Sequence, residues 1–292
     1  MANRRRAIVT GSATGVGAAT ALLLARRGCD VVVNYTKSEA EAHATAAACR
    51  AAGADAIVVR ADVADDAACR AMVGQAIARW GGLDILVNNA GITTFVGTGN
   101  LEAIDAATFQ RIFAVNALGA FQMIRAAAPH LKAARGAIVN VSSIAGTHGL
   151  GSSVPYVASK GALNAMTLHF ARALAPEVRV NAVCPGMITT RWFVQGLGRE
   201  GYEKLKAHYE QTAPLARACS PEDVAEAVVW LAEAATVTGE LLLMDSGLHL
   251  GSLGRAVVPQ RGLKASARRE RDRSRSDRAA QGTQGVKSVP GR

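Results

Sequence analysis

Thr10-Gly11-Ser12-Ala13-Thr14-Gly15-Val16-Gly17 follows an apolar run, Arg6–Thr10, and opens a stretch dense in Ala and Leu. Together the pieces read as a strand, a glycine turn and a helix. Glycines at 11, 15 and 17 leave room for a tight turn and for close approach of a bulky anion. The helix offers unpaired N–H groups and a partial positive charge at its first turn, which suits a pyrophosphate. An ordinary strand-to-helix turn is the plainer alternative. Position after the first strand favours a dinucleotide site.

The same alternation continues outward. Asp30–Tyr35, Ala56–Arg60, Leu83–Asn88, Ala137–Ser142, Val178–Cys184 and Leu241–Met244 are short apolar runs separated by longer Ala-, Leu- and Arg-rich stretches. Continuous apolar strands alternating with helices predict an α/β fold with a parallel sheet covered on both faces. Right-handed crossovers then give a single doubly wound domain, a Rossmann-type three-layer αβα sandwich. Half of the 292 residues are apolar and 19% are charged, so a sizeable core can form. A disordered chain, a collagen-like chain and a small disulfide scaffold are excluded. Five scattered cysteines, at 29, 49, 69, 184 and 219, make no CxxC pair and fit a reducing cytoplasm. Apolar runs are broken short of the ~20 residues of a spanning helix. The basic start, Met1–Arg6, leads into a strand rather than a signal-peptide core.

The net charge is +10, but +8 of it falls on residues 252–292. The domain is therefore expected to be 1–251 and nearly neutral. The tail, with its run RRERDRSRSDRAAQGTQG, reads as disordered and basic. Nucleic acid or another anion is a partner for that tail only, and an inert extension is the leading reading.

At the end of the second strand, Val33-Asn34-Tyr35-Thr36-Lys37-Ser38 has no acid at its tip. An NAD site usually places Asp or Glu there for the ribose hydroxyls. Lys37 and the small hydroxyl side chains beside it instead suit a 2′-phosphate, with Asn34 and Tyr35 as further cofactor-binding candidates, so NADP is expected, with NAD as the alternative. Downstream come Asn88-Asn89-Ala90-Gly91, Asn116-Ala117-Leu118-Gly119, Ser142-Ser143-Ile144-Ala145-Gly146, Tyr156-Val157-Ala158-Ser159-Lys160 and Pro185-Gly186-Met187-Ile188-Thr189-Thr190.

In the order and spacing of these motifs, from about Arg5 to Gly251, the chain resembles the short-chain dehydrogenase/reductase family. Both 3-oxoacyl-carrier-protein reductases and sugar dehydrogenases of that family are similar to it. The resemblance implies hydride transfer between a nicotinamide cofactor and a ketone or secondary alcohol. It makes Tyr156 the general acid/base, Ser143 the group that orients the substrate oxygen, and Lys160 the holder of the nicotinamide ribose. Asn116 would hold a water that relays protons to Lys160. Gly11, Ser12, Gly15, Val16 and Gly17 would carry the pyrophosphate. Asp62 and Val63 would meet adenine, Asn88, Ala90 and Gly91 would line the adenosine side, and Ile188 and Thr190 would hold the carboxamide.

The chemistry agrees with the spacing. Tyr156 and Lys160 are i and i+4 on one helix face. A free phenol titrates near ~10, too high to cycle at neutrality, and an ammonium ~4 Å away would lower it by about three units. Ser142, one place from Ser143 at a strand end, is expected to point away. Tyr202 and Lys206 repeat the Tyr-x-x-x-Lys spacing and read as a solvated helix face. Asp62 has a second reading as a helix cap, and Ser220-Pro221-Glu222-Asp223 reads as a helix start. The last strand ends Asp245-Ser246-Gly247, where the family often has Asp-Gly-Gly, and Leu231–Thr238 is about two residues shorter than the family pattern.

A substrate lid is expected between Thr190 and Pro214, with Trp192 and Phe193 against substrate or packed onto the body. His148 is a further substrate candidate. No metal site is expected. The helices carrying Asn116 and Tyr156 are apolar on more than one face (Phe113, Phe121, Met123; Leu163, Met166, Leu168, Phe170), which calls for a partner helix. The resemblance implies a homodimer or homotetramer acting on a small-molecule carbonyl or alcohol, with no membrane partner. NADPH-dependent 3-oxoacyl-type reduction leads. Alternatives are an NAD-using sugar, polyol or steroid-type alcohol dehydrogenase and a non-catalytic cofactor sensor.

Overall fold

The computed structural model describes residues 4–97 and 99–251. The disordered-tail expectation for 252–292 lies outside the described residues. The chain runs β1 (Arg5–Val9), α1 (Gly15–Arg26), β2 (Cys29–Tyr35), α2 (Glu39–Ala51), β3 (Ala56–Arg60), α3 (Asp66–Trp80) and β4 (Ile85–Asn88). It continues with α4 (Ala106–Phe113), a π turn (Ala114–Leu118), α5 (Gly119–Ala134), β5 (Ala137–Val141), α6 (Ala145–His148) and α7 (Val154–Ala173). β6 (Arg179–Pro185), α8 (Arg191–Thr212), α9 (Pro221–Glu233) and β7 (Leu241–Met244) complete it, followed by a 3₁₀ turn at Leu248–Leu250.

The seven strands form one parallel sheet in the order β3-β2-β1-β4-β5-β6-β7. All seven residues of β2 are buried, as a strand covered on both faces requires. One core lies under α1, α2 and α9, and the other under α3, α5 and α7. The doubly wound expectation holds, and strand ends differ from the sequence reading by one or two residues. Strand order reverses between β1 and β4, which run parallel, and this opens a crevice at their carboxyl ends.

Helix ends follow local chemistry. Asp65 caps α3 by accepting from Ala67 and Ala68, so Asp65, not Asp62, is the cap. Gly81, at φ 75°, ends that helix. Ser220 and Asp223 make the reciprocal capping box at α9, with Pro221 in its first turn. All five cysteines are buried free thiols. The helical run Ala106–Ala134 is long and apolar enough to cross a membrane by length and composition, which the sequence reading missed. It is a core element instead: Met123, Ile124, Ala127 and Leu131 pack against the sheet at 0–1% exposure.

Candidate active site

The glycine loop is organised by residues around it. Gly11 takes φ +61°, a left-handed conformation that suits glycine. Its N–H donates to Asn34 Oδ1 at 2.9 Å, and Asn34 Nδ2 donates to Val59 O and Ala61 O. Ser12 Oγ donates to Val9 O and accepts from Asn34 N. On the other side Asn89 Nδ2 donates to Thr10 O and Gly11 O, both at 2.9 Å. Asn34 was expected to meet the cofactor directly. Its side chain, in a residue 2% exposed, is instead committed to shaping the loop. Asn89 does the same work and was passed over, although it stands in the Asn88–Gly91 motif.

Gly17 lies where the chain cannot accept a Cβ: one built there comes within 2.5 Å of both Gly11 O and Asn89 Nδ2. Thr14, the cap residue of α1, makes no side-chain cap bond. The first N–H groups of α1 are therefore left without a side-chain cap, above a floor kept open by glycine, and this fits a pyrophosphate. Thr190 approaches Gly15 from β6's far side, its Cγ2 3.6 Å from a Cβ built on that glycine. Ile188 pairs with Cys219 in an isolated bridge and packs on the core beneath.

At the adenosine end, Lys37 is exposed. Tyr35 is 8% exposed, and burial with the nearby Glu39 pushes its phenol up. Arg191 donates to Glu41 at 2.8 Å and to Ser38 Oγ at 3.2 Å, tying α8 to the start of α2. Of the two acids in α2's first turn, Glu41 is thus engaged. Asp62 accepts from Ala64 N and pairs with Arg111 at 2.7 Å. Burial pushes its carboxyl up, but those contacts outweigh it and the net shift is downward. Val63 turns its side chain into the core, and Gln122 holds its carbonyl. Asn88 belongs to a buried chain through Asn140 to Thr167.

The structure brings Ser143, Tyr156, Lys160 and Asn116 around one end of this crevice. Ser143 lies just past β5, where its hydroxyl accepts from Ala145 N and donates to Pro185 O at 3.4 Å. Ser142 turns the other way, donating to Lys160 O. Lys160 is 3% exposed, and its Nζ donates to Val141 O at 2.7 Å. Gly91 adjoins Lys160 Nζ and Asn116 Oδ1. Asn116 sits in the π turn, a feature common at functional sites. Its side chain is spent: Oδ1 accepts from Ile92 N, and Nδ2 donates to Ile92 O and Ser159 Oγ. Trp192 meets the Tyr156 ring edge-on at 6.0 Å, whereas Phe193 packs against Phe95 and the small core of the lid. His148 stands beside His249. Tyr202 also packs into that small core, and Lys206 pairs with Glu210, so Tyr202 is not the solvated residue expected. Among the described residues, no three or more His, Cys, Asp or Glu side chains group for a metal ion.

The electrostatics correct one expectation. Lys160 was expected to lower the Tyr156 pKa. Burial instead pushes that phenol up to about 12, opposed weakly by the nearby Ser143 side chain, with Lys160 Nζ 5.7 Å from the ring centre. Burial also pulls Lys160 down to about 8 from 10.5. Below pH 8 both the folded and unfolded chains carry that proton, and the fold bears the full penalty of about 3 kcal/mol. The penalty fades between pH 8 and 10.5, where the folded chain has shed the proton and the unfolded chain has not. Lys160→Met is therefore expected to gain about 2 kcal/mol of stability at pH 7, after losing about 1 kcal/mol for the Val141 bond. The gain shrinks towards pH 10. Urea unfolding at pH 7 and 9.5 checks this, and a less stable variant at pH 7 contradicts it.

Comparison with known proteins agrees with this geometry. Residues 11–249 match the family described as Enoyl-(Acyl carrier protein) reductase. The chain is 44% identical over 245 residues to a Streptomyces violaceoruber protein named as ketoacyl reductase 2 of the granaticin polyketide synthase, covering 84% of this chain and 96% of that one. It is 40% identical over 247 residues to cis-4-hydroxycyclohexanecarboxylate dehydrogenase of Sinomonas cyclohexanicum, covering 83% and 96%. A crystal structure from Burkholderia xenovorans, described as a short-chain dehydrogenase/reductase, superposes with a TM-score of 0.79 at 39% identity, covering 86% of this chain and all of that one. The fold, the ordered motifs and these matches lead to one conclusion: the chain belongs to the short-chain dehydrogenase/reductase family, oxidoreductases that act between CH–OH and carbonyl groups with nicotinamide cofactors.

Proposed function

We propose that residues 1–251 form an NADPH-dependent carbonyl reductase in which Tyr156 is the proton donor. The observation that carries this reading is the convergence of Tyr156, Ser143 and Lys160 beside an uncapped glycine-loop helix. When bound, the nicotinamide supplies or takes the hydride. At neutral pH the proton resides on Tyr156, held there by burial, in the state that donates to a ketone oxygen. Ser143 orients that oxygen. Lys160 Nζ has spent one of its hydrogens on Val141 O and keeps two for ribose hydroxyls or water. With the Asn116 side chain engaged, a relay water would be held by its main-chain carbonyl.

The preference for NADP rests on charge. Lys37 is exposed just past β2, the Arg191 guanidinium reaches Ser38, and Glu41 is paired with Arg191. NADPH is expected to bind at least about tenfold more tightly than NADH, one charge-assisted contact being worth about 1.5–3 kcal/mol. Lys37→Ala should narrow that gap. Fluorescence titration of both cofactors checks it, and equal wild-type affinities contradict NADP preference.

The relatives suggest two substrate types. A ketoacyl reductase favours 3-oxoacyl thioesters, while the cyclohexanecarboxylate dehydrogenase makes 4-oxocyclohexanecarboxylate a second test ketone. Assembly into a dimer or tetramer is supported by Leu118 and Leu168, 47% and 40% exposed on the apolar helices, beside the Phe121–Phe170 stack. Five buried thiols are compatible with a cytoplasmic location.

A further inference from the structure

Helix α8 is not one rigid rod. Its first residues, 191–197, are set off at both ends. Thr190 before them is extended, at φ -121° and ψ 160°, and Gly198 after them leaves the helical region, at φ 70° and ψ 169°. Beyond Gly198 the helix is pinned by Tyr209, 6% exposed, whose hydroxyl donates to Asp245 O at 2.7 Å. Three side chains fasten the short piece elsewhere. Arg191 Nη1 donates to Glu41 at 2.8 Å and Nη2 to Ser38 Oγ at 3.2 Å, at the start of α2. Trp192 meets the Tyr156 ring, and Phe193 meets Phe95 in the loop after β4, with ring centres 5.7 Å apart.

Successive helical residues point about 100° apart, so neighbours on this turn reach different places. Arg191 reaches the adenosine end of the crevice and Trp192 the reacting end. Thr190 lies against Gly15, where α1 begins. The Arg191 side chain therefore runs from the glycine loop to the tip of β2, the course from a pyrophosphate to the adenosine ribose in a doubly wound fold. Arg191 is equipped for an anion there. Two of its five N–H donors are engaged, which leaves three. Ser38 Oγ accepts from Arg191 and keeps its own hydrogen to donate, and exposed Lys37 precedes it. The carboxylate on Arg191 is a weak competitor: the Arg191 and Glu41 side chains are 47% and 44% exposed, and such surface pairs open readily. A phosphate takes a guanidinium bidentately and carries more charge.

We propose that Arg191 is a positioning residue that reads the 2′-phosphate of NADPH beside Ser38 and thereby sets the lid piece 191–197, with Trp192 against Tyr156. The preference for NADP then shows in turnover as well as in binding, because the phosphate orders the helical turn that carries Trp192. This inference rests on the NADPH reading above.

Adenosine 2′,5′-bisphosphate and 5′-AMP, which differ only in the 2′-phosphate, test it by calorimetric titration. Arg191→Met should weaken the bisphosphate about tenfold or more, the worth of one charge-assisted contact, and leave AMP unchanged, which also shows the fold intact. The bisphosphate should change the tryptophan fluorescence of the wild type, but not that of Trp192→Phe or Arg191→Met. In turnover, kcat with NADPH over kcat with NADH should fall towards one in Arg191→Met. Glu41→Gln breaks the tie between α8 and α2 and keeps the guanidinium, so it should bind the bisphosphate at least as well as the wild type. Unchanged bisphosphate affinity in Arg191→Met overturns the proposal. So does an equal loss in Glu41→Gln, which would make Arg191 a tie and nothing more, and so does a fluorescence change that survives in Trp192→Phe. If the bisphosphate binds the wild type no better than AMP, the NADPH reading itself fails and takes this inference with it.

Discussion

Tyr156→Phe is expected to lower kcat by about 10²–10⁴-fold, the range of a positioned general acid. The substitution removes one oxygen and keeps the ring that meets Trp192 edge-on. The phenol oxygen makes no hydrogen bond among the described residues, so the fold should survive. NADPH affinity should stay near the wild-type value, because the glycine loop is untouched. Tyr202→Phe is the matched control: Tyr202 shares the Tyr-x-x-x-Lys spacing but packs inside the lid. Steady-state turnover with cofactor titration separates these outcomes. A Tyr156→Phe enzyme with near-full activity would remove the proposed acid.

Gly17→Ala should abolish cofactor binding at ordinary concentrations. Its Cβ would stand 2.5 Å from Gly11 O, 2.5 Å from Asn89 Nδ2 and 2.8 Å from Ser12 Cα. Gly11 O and Ser12 Cα belong to the backbone, and Asn89 is held by its two bonds to the loop, so nothing flexible can yield. Overpacking of this kind costs about 1–3 kcal/mol and opens the turn. Losing two charge-assisted N–H contacts to a pyrophosphate costs about 3–6 kcal/mol more of binding, a weakening of about 100-fold or greater. NADPH and NADH should suffer equally, since the pyrophosphate is common to both. Fluorescence titration measures this, and wild-type affinity for either cofactor would show that the loop does not hold the dinucleotide.

The parallel sheet was legible because strands covered on both faces are apolar throughout. The seven runs needed only small shifts at their ends. The convergence of Tyr156, Ser143 and Lys160 was legible because each lies in a short motif whose spacing matches one helix face or one strand end. What stayed hidden depends on contacts between distant segments. Asn34 and Asn89 sit on opposite sides of the glycine loop, 55 residues apart in sequence, and only the folded chain shows that both serve it. The Asp245–His249 pair and its neighbour His148 join two strand ends separated by about a hundred residues. The Tyr156 shift was misjudged because spacing gives a Tyr–Lys neighbour but not the burial that dominates it. Counting unbroken apolar runs hid a continuous 29-residue helical run, Ala106–Ala134, because a π turn carries the helix through without breaking it.

The central claim is carbonyl reduction with NADPH. The most direct measurement follows oxidation of NADPH and NADH side by side against a 3-oxoacyl thioester, a ketose, a cyclic diketone, a steroid ketone and 4-oxocyclohexanecarboxylate. The account predicts turnover of at least one ketone, faster with NADPH, and its loss in Tyr156→Phe. Tight NADPH binding with no oxidation by any of these ketones would contradict it and favour a cofactor sensor.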